Sequence, residues 1–184
     1  MFGRRSRGNA GGMKFKGQDL NADLQLSIRD VYKTQTQTLQ VNGKSIRLTI
    51  PAGVEDGQTI RIKGQGAQGI NGGTAGDLYL TFHIHNNTEF TREGNDLSVK
   101  RKLDLYTAVL GGEVTVETFD GKVKLKIPAG TQSGTKVKLK GKGFPVYKKE
   151  GQFGDLYLNW EIEIPRNLSP KQKALFEELK KIST

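Results

Sequence analysis

The sequence predicts a mostly β protein with two tandem homologous β-sandwich-like domains, short helices and a C-terminal amphipathic helix. Two observations predict this fold class. A set of motifs occurs twice in the 184 residues, in the same order and about 77 residues apart. Apolar residues also alternate with polar ones along most segments, which is typical of strands with one buried face. Because the repeat is too long for a solenoid unit, we expect each copy to fold as a domain.

The repeated motifs define the domain boundaries. Leu-Thr-Ile-Pro-Ala-Gly at 48–53 returns as Leu-Lys-Ile-Pro-Ala-Gly at 125–130, and Gly-Asp-Leu-Tyr-Leu occurs at both 76–80 and 154–158. A K-G-x-G run and a G-x-D-L opening are repeated in the same order. We therefore divide the chain into four parts: a Gly/Arg-rich linker remnant (1–16), a first β domain (17–92), a second β domain (93–165) and a terminal helix (166–184).

Strands and turns follow in order within each copy. Apolar residues alternate at 46–50 and at 78–84, which predicts strands with one buried face. Asn-Gly at 42–43 and Asp-Gly at 120–121 are expected to close hairpins, because type I′ turns need positive φ at both central residues. Each Ile-Pro-Ala-Gly is expected to end a strand, because proline has no N–H to donate to the ladder.

Three helical segments are predicted. Short helical turns are expected at 28–33 and at 105–110, with Gly111 ending the second. The third segment is an amphipathic helix with an N-cap at Ser169, followed by a first-turn proline and a capping-box glutamine.

The terminal helix needs a docking partner. Its apolar stripe consists of Leu175, Phe176, Leu179 and Ile182. Because a short helix is marginal on its own, this stripe is expected to pack on another surface. The sequence leaves two partners open: the second β domain of the same chain, or a second chain in a homodimer.

Composition narrows the function classes. The chain has no cysteine, which excludes a disulfide scaffold, a thiol nucleophile and Cys-based metal sites. It has no apolar run of roughly 18 residues for a membrane span, and no secretory signal, so we expect a cytoplasmic protein. The formal net charge of +10 permits nucleic-acid binding, but the lysines are spread along strand-like segments with acids between them.

Motifs that suggest enzyme chemistry lack the context they need. G-x-G-x-x-G at 64–69 is followed by a glycine-rich stretch rather than a helix, so a dinucleotide site is not expected. His83 and His85 are the only histidines and have no third ligand nearby, which argues against a metal site. Glu161 and Glu163 share a strand face that we expect to be solvated. We therefore predict no catalytic residues, no metal, no cofactor and no enzymatic activity.

Comparison of the two copies indicates a binding surface. Leu24 and Val41 of the first copy are replaced by Arg101 and Thr118 in the second. Positions that accept a charge are not expected in a deep core, so the apolar pair is expected to form an exposed strip on the first domain. The alternative is that a neighbouring loop or residues 13–15 cover this strip.

The ordered motifs resemble those of a known family. The G-x-D-L openings, the I-P-A-G, K-G-x-G and G-D-L-Y-L segments and the junction at 87–97 resemble the C-terminal substrate-binding and dimerisation region of DnaJ-family co-chaperones. The match covers 17–184, and 2–12 resemble the end of the family's Gly/Phe-rich linker. C-x-x-C-x-G-x-G repeats are missing, so the chain resembles the zinc-free class II, which includes bacterial curved-DNA-binding proteins. No His-Pro-Asp tripeptide is present, so we expect a fragment that lacks the J domain.

The resemblance implies a shallow groove in the first domain that binds extended segments of unfolded client proteins. By local alignment, its lining is Ala22, Leu24, Leu39, Val41 and Phe90. The resemblance also implies dimerisation through 166–184, and a DnaK-type chaperone as partner. In some relatives the groove takes the acidic tail of that partner through nearby lysines, where this chain has Gln37. Binding of curved DNA is the alternative function, and a purely structural dimerisation spacer is a third.

Overall fold

The computed structural model describes residues 13–41 and 43–183. The chain divides into two compact units, Met1–Asn87 and Thr88–Thr184. Of the expected linker at 1–16, only 13–16 are among the described residues, and the segment at 2–12 lies outside them. None of the helices in the described ranges is long and apolar enough to cross a membrane.

The first unit contains a three-stranded sheet and a separate hairpin. Its strands are β1 (Leu20–Ser27), β2 (Gln35–Val41), β3 (Lys44–Ile50), β4 (Thr59–Ile62) and β5 (Leu78–His85). The sheet order is β1-β5-β4, with β1 parallel and β4 antiparallel to β5. Strands β2 and β3 form an antiparallel pair. Strand β5 is therefore central in its sheet, and β1 lies at the edge.

The second unit repeats this topology and extends it. Its elements are β6 (Thr91–Glu93), β7 (Asp96–Asp104), α1 (Leu105–Leu110), β8 (Gly112–Thr118), β9 (Gly121–Ile127), β10 (Lys136–Leu139), β11 (Leu156–Glu163) and α2 (Pro170–Ile182). The sheet order is β10-β11-β7-β6, and β8 and β9 form the hairpin. Strand β6 lies outside β7, a position that no strand occupies beside β1 in the described part of the first unit. The prediction of two homologous β domains is confirmed.

Each core lies against one face of the central strand. The innermost side chains, none more than 1% exposed, are Leu78, Leu80 and Phe82 in β5 and Leu156, Leu158 and Trp160 in β11. The residues between them are partly or fully exposed, so the two-residue period found in the sequence corresponds to a sheet with one buried face.

The aspartates of the two repeated motifs form hydrogen bonds that stabilise the turn before the central strand. In the first unit, the Asp77 carboxylate accepts hydrogen bonds from the Gly64 N–H and from Arg61 Nε, both at 2.9 Å. The backbone N–H of Asp77 donates to the Asp19 carboxylate at 2.7 Å. The G-x-D-L and G-D-L-Y-L motifs therefore meet in space, and each satisfies backbone groups that the turn leaves without a ladder partner.

The second unit uses the same arrangement. The Asp155 carboxylate accepts from the Gly141 N–H at 2.8 Å and pairs with Lys138 at 2.7 Å. The backbone N–H of Asp155 donates to the Asp96 carboxylate at 2.7 Å. The recurrence of these motifs in the sequence thus has a structural cause.

The loop of the second hairpin differs from the prediction. Strand β9 begins at Gly121, so the two loop residues are Phe119 and Asp120 rather than Asp120 and Gly121. Phe119 is only 7% exposed, and burial of its ring accounts for this register where the local turn preference of Asp-Gly does not. In the first hairpin, Gly43 has the positive φ of 74° expected of a tight turn, and Asn42 lies outside the described residues.

The helical segments agree with the sequence, two as helices and one as turns. Helix α1 ends at Gly111, whose φ of 77° favours glycine. Helix α2 begins with Ser169 as N-cap and a complete capping box. The third segment, 28–33, forms short turns, as expected, and does not continue into a regular helix: the Asp30 N–H donates to the Ser27 carbonyl oxygen at 3.0 Å, and the Asp30 carboxylate accepts from the Ser27 N–H at 2.8 Å.

Candidate functional site

The edge of β1 carries the first part of the predicted site. Ala22 and Leu24 are partly exposed, although they pair with Leu80 and Phe82 of β5, which are buried. Paired residues point their side chains to the same face of a sheet. The apolar face of this sheet is therefore buried at the central strand and partly exposed at the edge strand.

The edge of β2 carries the second part. Leu39 and Val41 are partly exposed, while Thr38 and Gln40, which alternate with them along the strand, are exposed. Leu39 pairs with Ile46 of β3, which is 8% exposed, so the apolar face again opens towards the outer strand. Within the described residues β2 pairs only with β3, and an edge strand of this kind offers backbone N–H and C=O groups to an added strand.

We name these four partly exposed residues, Ala22, Leu24, Leu39 and Val41, the edge strip. The alternative that residues 13–15 bury it does not match their placement. The Phe15 N–H donates to the Ile70 carbonyl oxygen at 3.2 Å, and the Ile70 N–H donates back at 3.0 Å. Met13 remains 77% exposed and Phe15 54% exposed, so neither side chain is buried on the edge strip.

The fifth predicted residue belongs to a different compact unit from the other four. Phe90 belongs to the second unit and is 3% exposed. Its ring centroid lies 5.4 Å from that of Phe119, in an edge-to-face arrangement. The structure thus places four of the five residues on two strands of the first unit, Ala22 and Leu24 on β1 and Leu39 and Val41 on β2, and buries the fifth in the second unit.

One step of the sequence argument needs correction. The inference that both positions lie outside a deep core holds for Arg101, which is partly exposed like Leu24, but it is wrong for Thr118, which is 7% exposed. The charge is tolerated because Arg101 pairs with Glu89 at 2.6 Å and donates to the Glu117 carbonyl oxygen at 3.3 Å. Leu24 and Arg101 are thus both partly exposed, and Leu24 lies on an edge strand of its sheet.

A second apolar surface lies between the two helices of the second unit. Helices α1 and α2 meet where the rings of Tyr106 and Phe176 lie 6.4 Å apart. They border a cleft of about 590 Å³, which we name the helical cleft. Three residues of the predicted stripe remain largely exposed beside it: Leu175 at 51%, Leu179 at 57% and Ile182 at 78%. The helix thus touches its own unit and still presents most of its apolar side chains.

The sequence analysis did not identify the α1 side of this cleft. Tyr106, Val109 and Leu110 are 45%, 56% and 76% exposed and line the cleft opposite α2. Their i, i+3, i+4 spacing places them on one face of a helix, and this spacing is the feature of the sequence that could have predicted the surface. A six-residue helix that ends in glycine gives too short a window for that period to be recognised.

The glycine-rich run at 64–69 has a structural role. The Gly66 N–H donates to the Gly76 carbonyl oxygen at 2.8 Å, and a Cβ on Gly76 would collide with the Gln18 carbonyl oxygen. Only glycine allows backbones to approach this closely. The motif is therefore explained by packing of the backbone in the first unit.

The histidine and glutamate pairs lie on exposed sheet faces. His83 Nε2 is 3.0 Å from an Asp23 carboxylate oxygen, and both side chains are largely exposed. Glu161 and Glu163 pair with lysines of β7 at 3.1 Å and 3.0 Å. Among the described residues, no group of three His, Cys, Asp or Glu side chains is placed to hold a metal ion.

Comparison with known proteins places this architecture in a family. The family described as DnaJ C terminal domain matches residues 20–165. The chaperone protein DnaJ of Bacillus velezensis is 49% identical over 140 residues, which cover 76% of this chain and 37% of that protein. The chaperone protein DnaJ of Brucella anthropi is 44% identical over 142 residues, which cover 77% of this chain and 37% of that protein.

The match concerns a defined part of these relatives. The chain spans little more than a third of the length of the proteins it matches. The matched range begins with β1 and extends past β11, so it includes the strands of both units and ends before α2. With the matched family covering well over half of its length, this chain belongs to the DnaJ C-terminal domain family.

Proposed function

We propose that this chain is the client-binding region of a DnaJ-type co-chaperone, and that its first unit binds exposed apolar segments of non-native proteins. The edge strip is the observation that supports this proposal, because apolar side chains remain partly exposed there beside two strand edges. The relatives are named chaperone protein DnaJ, which fits a role in delivering clients to a DnaK-type chaperone and preventing aggregation.

The proposed binding mode is β-strand addition. An extended client segment pairs its main chain with the outer edge of β2 near 39–41, and alternate side chains rest on the edge strip. Burial of one client Leu or Phe contributes about 1.5–3 kcal/mol, from which the cost of association is subtracted. A single site of this kind binds weakly and with little sequence preference, as suits a chaperone that meets many clients.

We also propose a homodimer that forms through the helical cleft. The supporting observation is the exposed apolar surface on both α1 and α2, lined by Leu175, Phe176, Leu179 and Ile182 on one side. A second copy of the same helix pair has the matching apolar chemistry, and symmetric pairing of one patch with itself is the commonest way to close a dimer.

The subclass and the partner's tail are separate proposals. We propose the zinc-free class, because the chain has no cysteine and only two residues, 42–43, connect β2 with β3. Gln37 is partly exposed on β2, so the position where some relatives carry a lysine is neutral here. We therefore expect the edge strip to favour apolar clients over an acidic tail.

The test is a charge placed on the edge strip. Leu24→Asp and Val41→Asp should each abolish binding of a fluorescent Leu- and Phe-rich peptide and suppression of client aggregation. Gln25→Asp is the matched control, because Gln25 is exposed next to Leu24 on the opposite face of β1. Circular dichroism establishes that each variant is folded. Normal binding by folded Leu24→Asp and Val41→Asp chains would refute the proposed site.

A salt titration separates client binding from DNA binding. The net charge of +10 favours nucleic acid, but lysines such as Lys100 and Lys102 pair with glutamates on the sheet face. Affinity for duplex DNA would fall steeply with salt, because phosphate contacts release counterions. We expect peptide affinity to change little over the same range. Binding of neither ligand would indicate a structural spacer.

A further inference from the structure

The segment that leads into β1 is fastened to the first unit through its backbone. Phe15 and Ile70 form an antiparallel bridge, in which the N–H of each donates to the carbonyl oxygen of the other. Two residues later the Gly17 N–H donates to the Thr74 carbonyl oxygen at 2.8 Å. Backbone atoms thus fix the position of this segment against the loop at 69–74.

The loop is shaped to receive the segment. A Cβ atom on Gly73 would collide with the Phe15 carbonyl oxygen, and a Cβ atom on Gly69 would collide with the same oxygen. Only glycine allows two backbones to approach this closely. Asn71, between these glycines, donates from Nδ2 to the Met13 carbonyl oxygen at 3.2 Å. The loop therefore contacts the segment at both Phe15 and Met13.

The apolar side chains at this junction remain in water. Phe15 and Ile70 are bridge partners, so their side chains point to the same side. Met13 adjoins them, because its carbonyl oxygen is bonded to the residue next to Ile70. Met13 is 77% exposed, Phe15 54% and Ile70 63%. We name these three residues the entry patch.

The second copy shows that the repeated fold does not require such a patch. When the G-x-D-L openings are aligned, Met13 and Phe15 correspond to Phe90 and Arg92. Phe90 is 3% exposed, and Arg92 is a partly exposed cation. One position accepts a buried ring and the other a charge, so two exposed apolar side chains are a feature of the first unit alone.

The sequence beside the entry patch is strongly basic. Between positions 4 and 16 it contains five basic residues and no acidic residue: Arg4, Arg5, Arg7, Lys14 and Lys16. Lys16 pairs with Asp19 at 3.2 Å, whereas Lys14 is exposed between Met13 and Phe15. Apolar side chains beside a cluster of cations are typical of proteins that bind an anionic membrane surface, because the apolar groups enter the lipid boundary and the cations contact the headgroups.

This combination favours a lipid surface over the other candidate partners. Nucleic acid would use the cations, but its phosphates give no contact for the aliphatic side chains of Met13 and Ile70. An apolar client would use the patch and not the charge. We propose that the entry patch binds the surface of an anionic phospholipid bilayer, with Phe15 and Ile70 inserted at the headgroup boundary and Lys14 among the headgroups. This inference goes beyond client binding and does not depend on it.

The test is flotation of the chain with vesicles of phosphatidylcholine alone, or of phosphatidylcholine and phosphatidylglycerol in equal parts. We expect binding to the mixed vesicles and much weaker binding to phosphatidylcholine. Ile70→Ser should lower the affinity for mixed vesicles about tenfold, because an inserted apolar side chain is lost. Ile164→Ser is the matched control, since Ile164 is 71% exposed in the second unit, and it should bind like the unchanged chain.

Two results of the flotation experiment would overturn the inference. One is the absence of binding to mixed vesicles by the unchanged chain. The other is an equal loss of affinity in the Ile70→Ser and Ile164→Ser chains. Phe15→Ser serves as the second variant if circular dichroism shows that Ile70→Ser is not folded.

Insertion is measured separately with Phe15→Trp, which places an indole in the entry patch. Mixed vesicles whose phosphatidylcholine carries brominated acyl chains should quench the fluorescence of this indole. The unchanged chain is the control, because its only tryptophan, Trp160, is 1% exposed and should not be quenched. Vesicle binding without quenching at position 15 would overturn the proposed insertion.

Parallel peptide and DNA titrations separate this inference from the proposed function. Leu24→Asp should lose the Leu- and Phe-rich peptide and still bind mixed vesicles, and Ile70→Ser should show the reverse. If Ile70→Ser loses affinity for the peptide or for duplex DNA and its affinity for vesicles is unchanged, the patch serves that partner and the inference is overturned. Peptide binding by Leu24→Asp would refute the client site and leave the entry patch unaffected.

Discussion

The carboxylate of Asp77 illustrates how one residue supports the first unit. Its pKa is held below the ordinary value, chiefly because the Gly64 N–H donates to the charged carboxylate, and Arg61 adds to this. The side chain is 7% exposed, so protonation would weaken bonds that water does not readily replace. A group whose pKa is lowered by folding stabilises the fold above its unfolded pKa, about 3.9 for aspartate, and loses that contribution as the pH falls through the folded value.

We therefore expect Asp77→Asn to lower the free energy of unfolding at neutral pH and to flatten its decline in acid. The asparagine retains the size of the side chain and cannot lose a charge. Urea unfolding at pH 7 and at pH values below 4 measures both effects. Asp23→Asn is the control, since Asp23 is 69% exposed. Parallel acid curves for the unchanged chain and Asp77→Asn would contradict this role.

Leu24 shows what sequence can predict about a single residue. Comparison of the copies identified Leu24 as a member of a potential site, because the first copy has leucine at the position where the second copy has arginine. The comparison could not reveal that Arg101 pairs with Glu89 and donates to the Glu117 carbonyl oxygen, since these partners come from other segments. Contacts between distant segments decide whether a side chain is buried, and the residue type at one sequence position does not reveal those contacts.

At the level of elements, helix α2 depends on its N-terminal cap. Ser169 Oγ accepts from the Gln172 N–H at 3.2 Å, and Gln172 Oε1 accepts from the Ser169 N–H at 2.8 Å. None of the residues of α2 is buried, so the cap contributes a large share of what holds this helix in place. Loss of an N-cap side chain costs about 1 kcal/mol.

Ser169→Ala should therefore weaken the proposed dimer, by about fivefold if about 1 kcal/mol of helix stability is lost on dissociation. Ser169→Asp retains the capping oxygen and should preserve the dimer. Sedimentation equilibrium over a dilution series measures the dissociation constant. Equal constants for Ser169→Ala and Ser169→Asp would show that the cap does not support the interface.

The elements differ in how well the sequence predicts them. Helices α1 and α2 were predicted because caps and glycines mark their ends locally. The short strand β6 and the loop at Phe119 were missed, since both depend on an aromatic cluster assembled from three separated segments. Local patterns predict elements that local forces stabilise, and tertiary burial determines the others.

At the level of the whole molecule, two weak binding sites held in one dimer bind a long client more tightly than either site does alone. With one proposed edge strip per chain, a homodimer through the helical cleft would hold two such sites at high effective concentration. A short peptide uses one groove, and a long unfolded client can use both. Dimerisation should therefore affect the two kinds of ligand differently.

Leu179→Asp tests this expectation, because Leu179 is 57% exposed in the helical cleft and far along the chain from the edge strip. We expect a monomer that binds a short peptide with unchanged affinity and suppresses aggregation of a long client less than the dimer does. Lys173→Asp is the control, because it changes charge on an exposed part of the same helix outside the cleft lining. Equal suppression by monomer and dimer would exclude avidity.

The parallel pairing of the first and last strand of a unit has a consequence for biosynthesis. Leu20 lies opposite Leu78 and Leu24 opposite Phe82, so β1 has no sheet to join until β5 has been made. Long-range pairings of this type form slowly, and domains fold as they are completed during translation. Almost the whole first unit must therefore leave the ribosome before the sheet edge formed by β1 exists. A newly made chain therefore cannot bind a client segment at this edge before β5, the last strand of the first unit, has been synthesised.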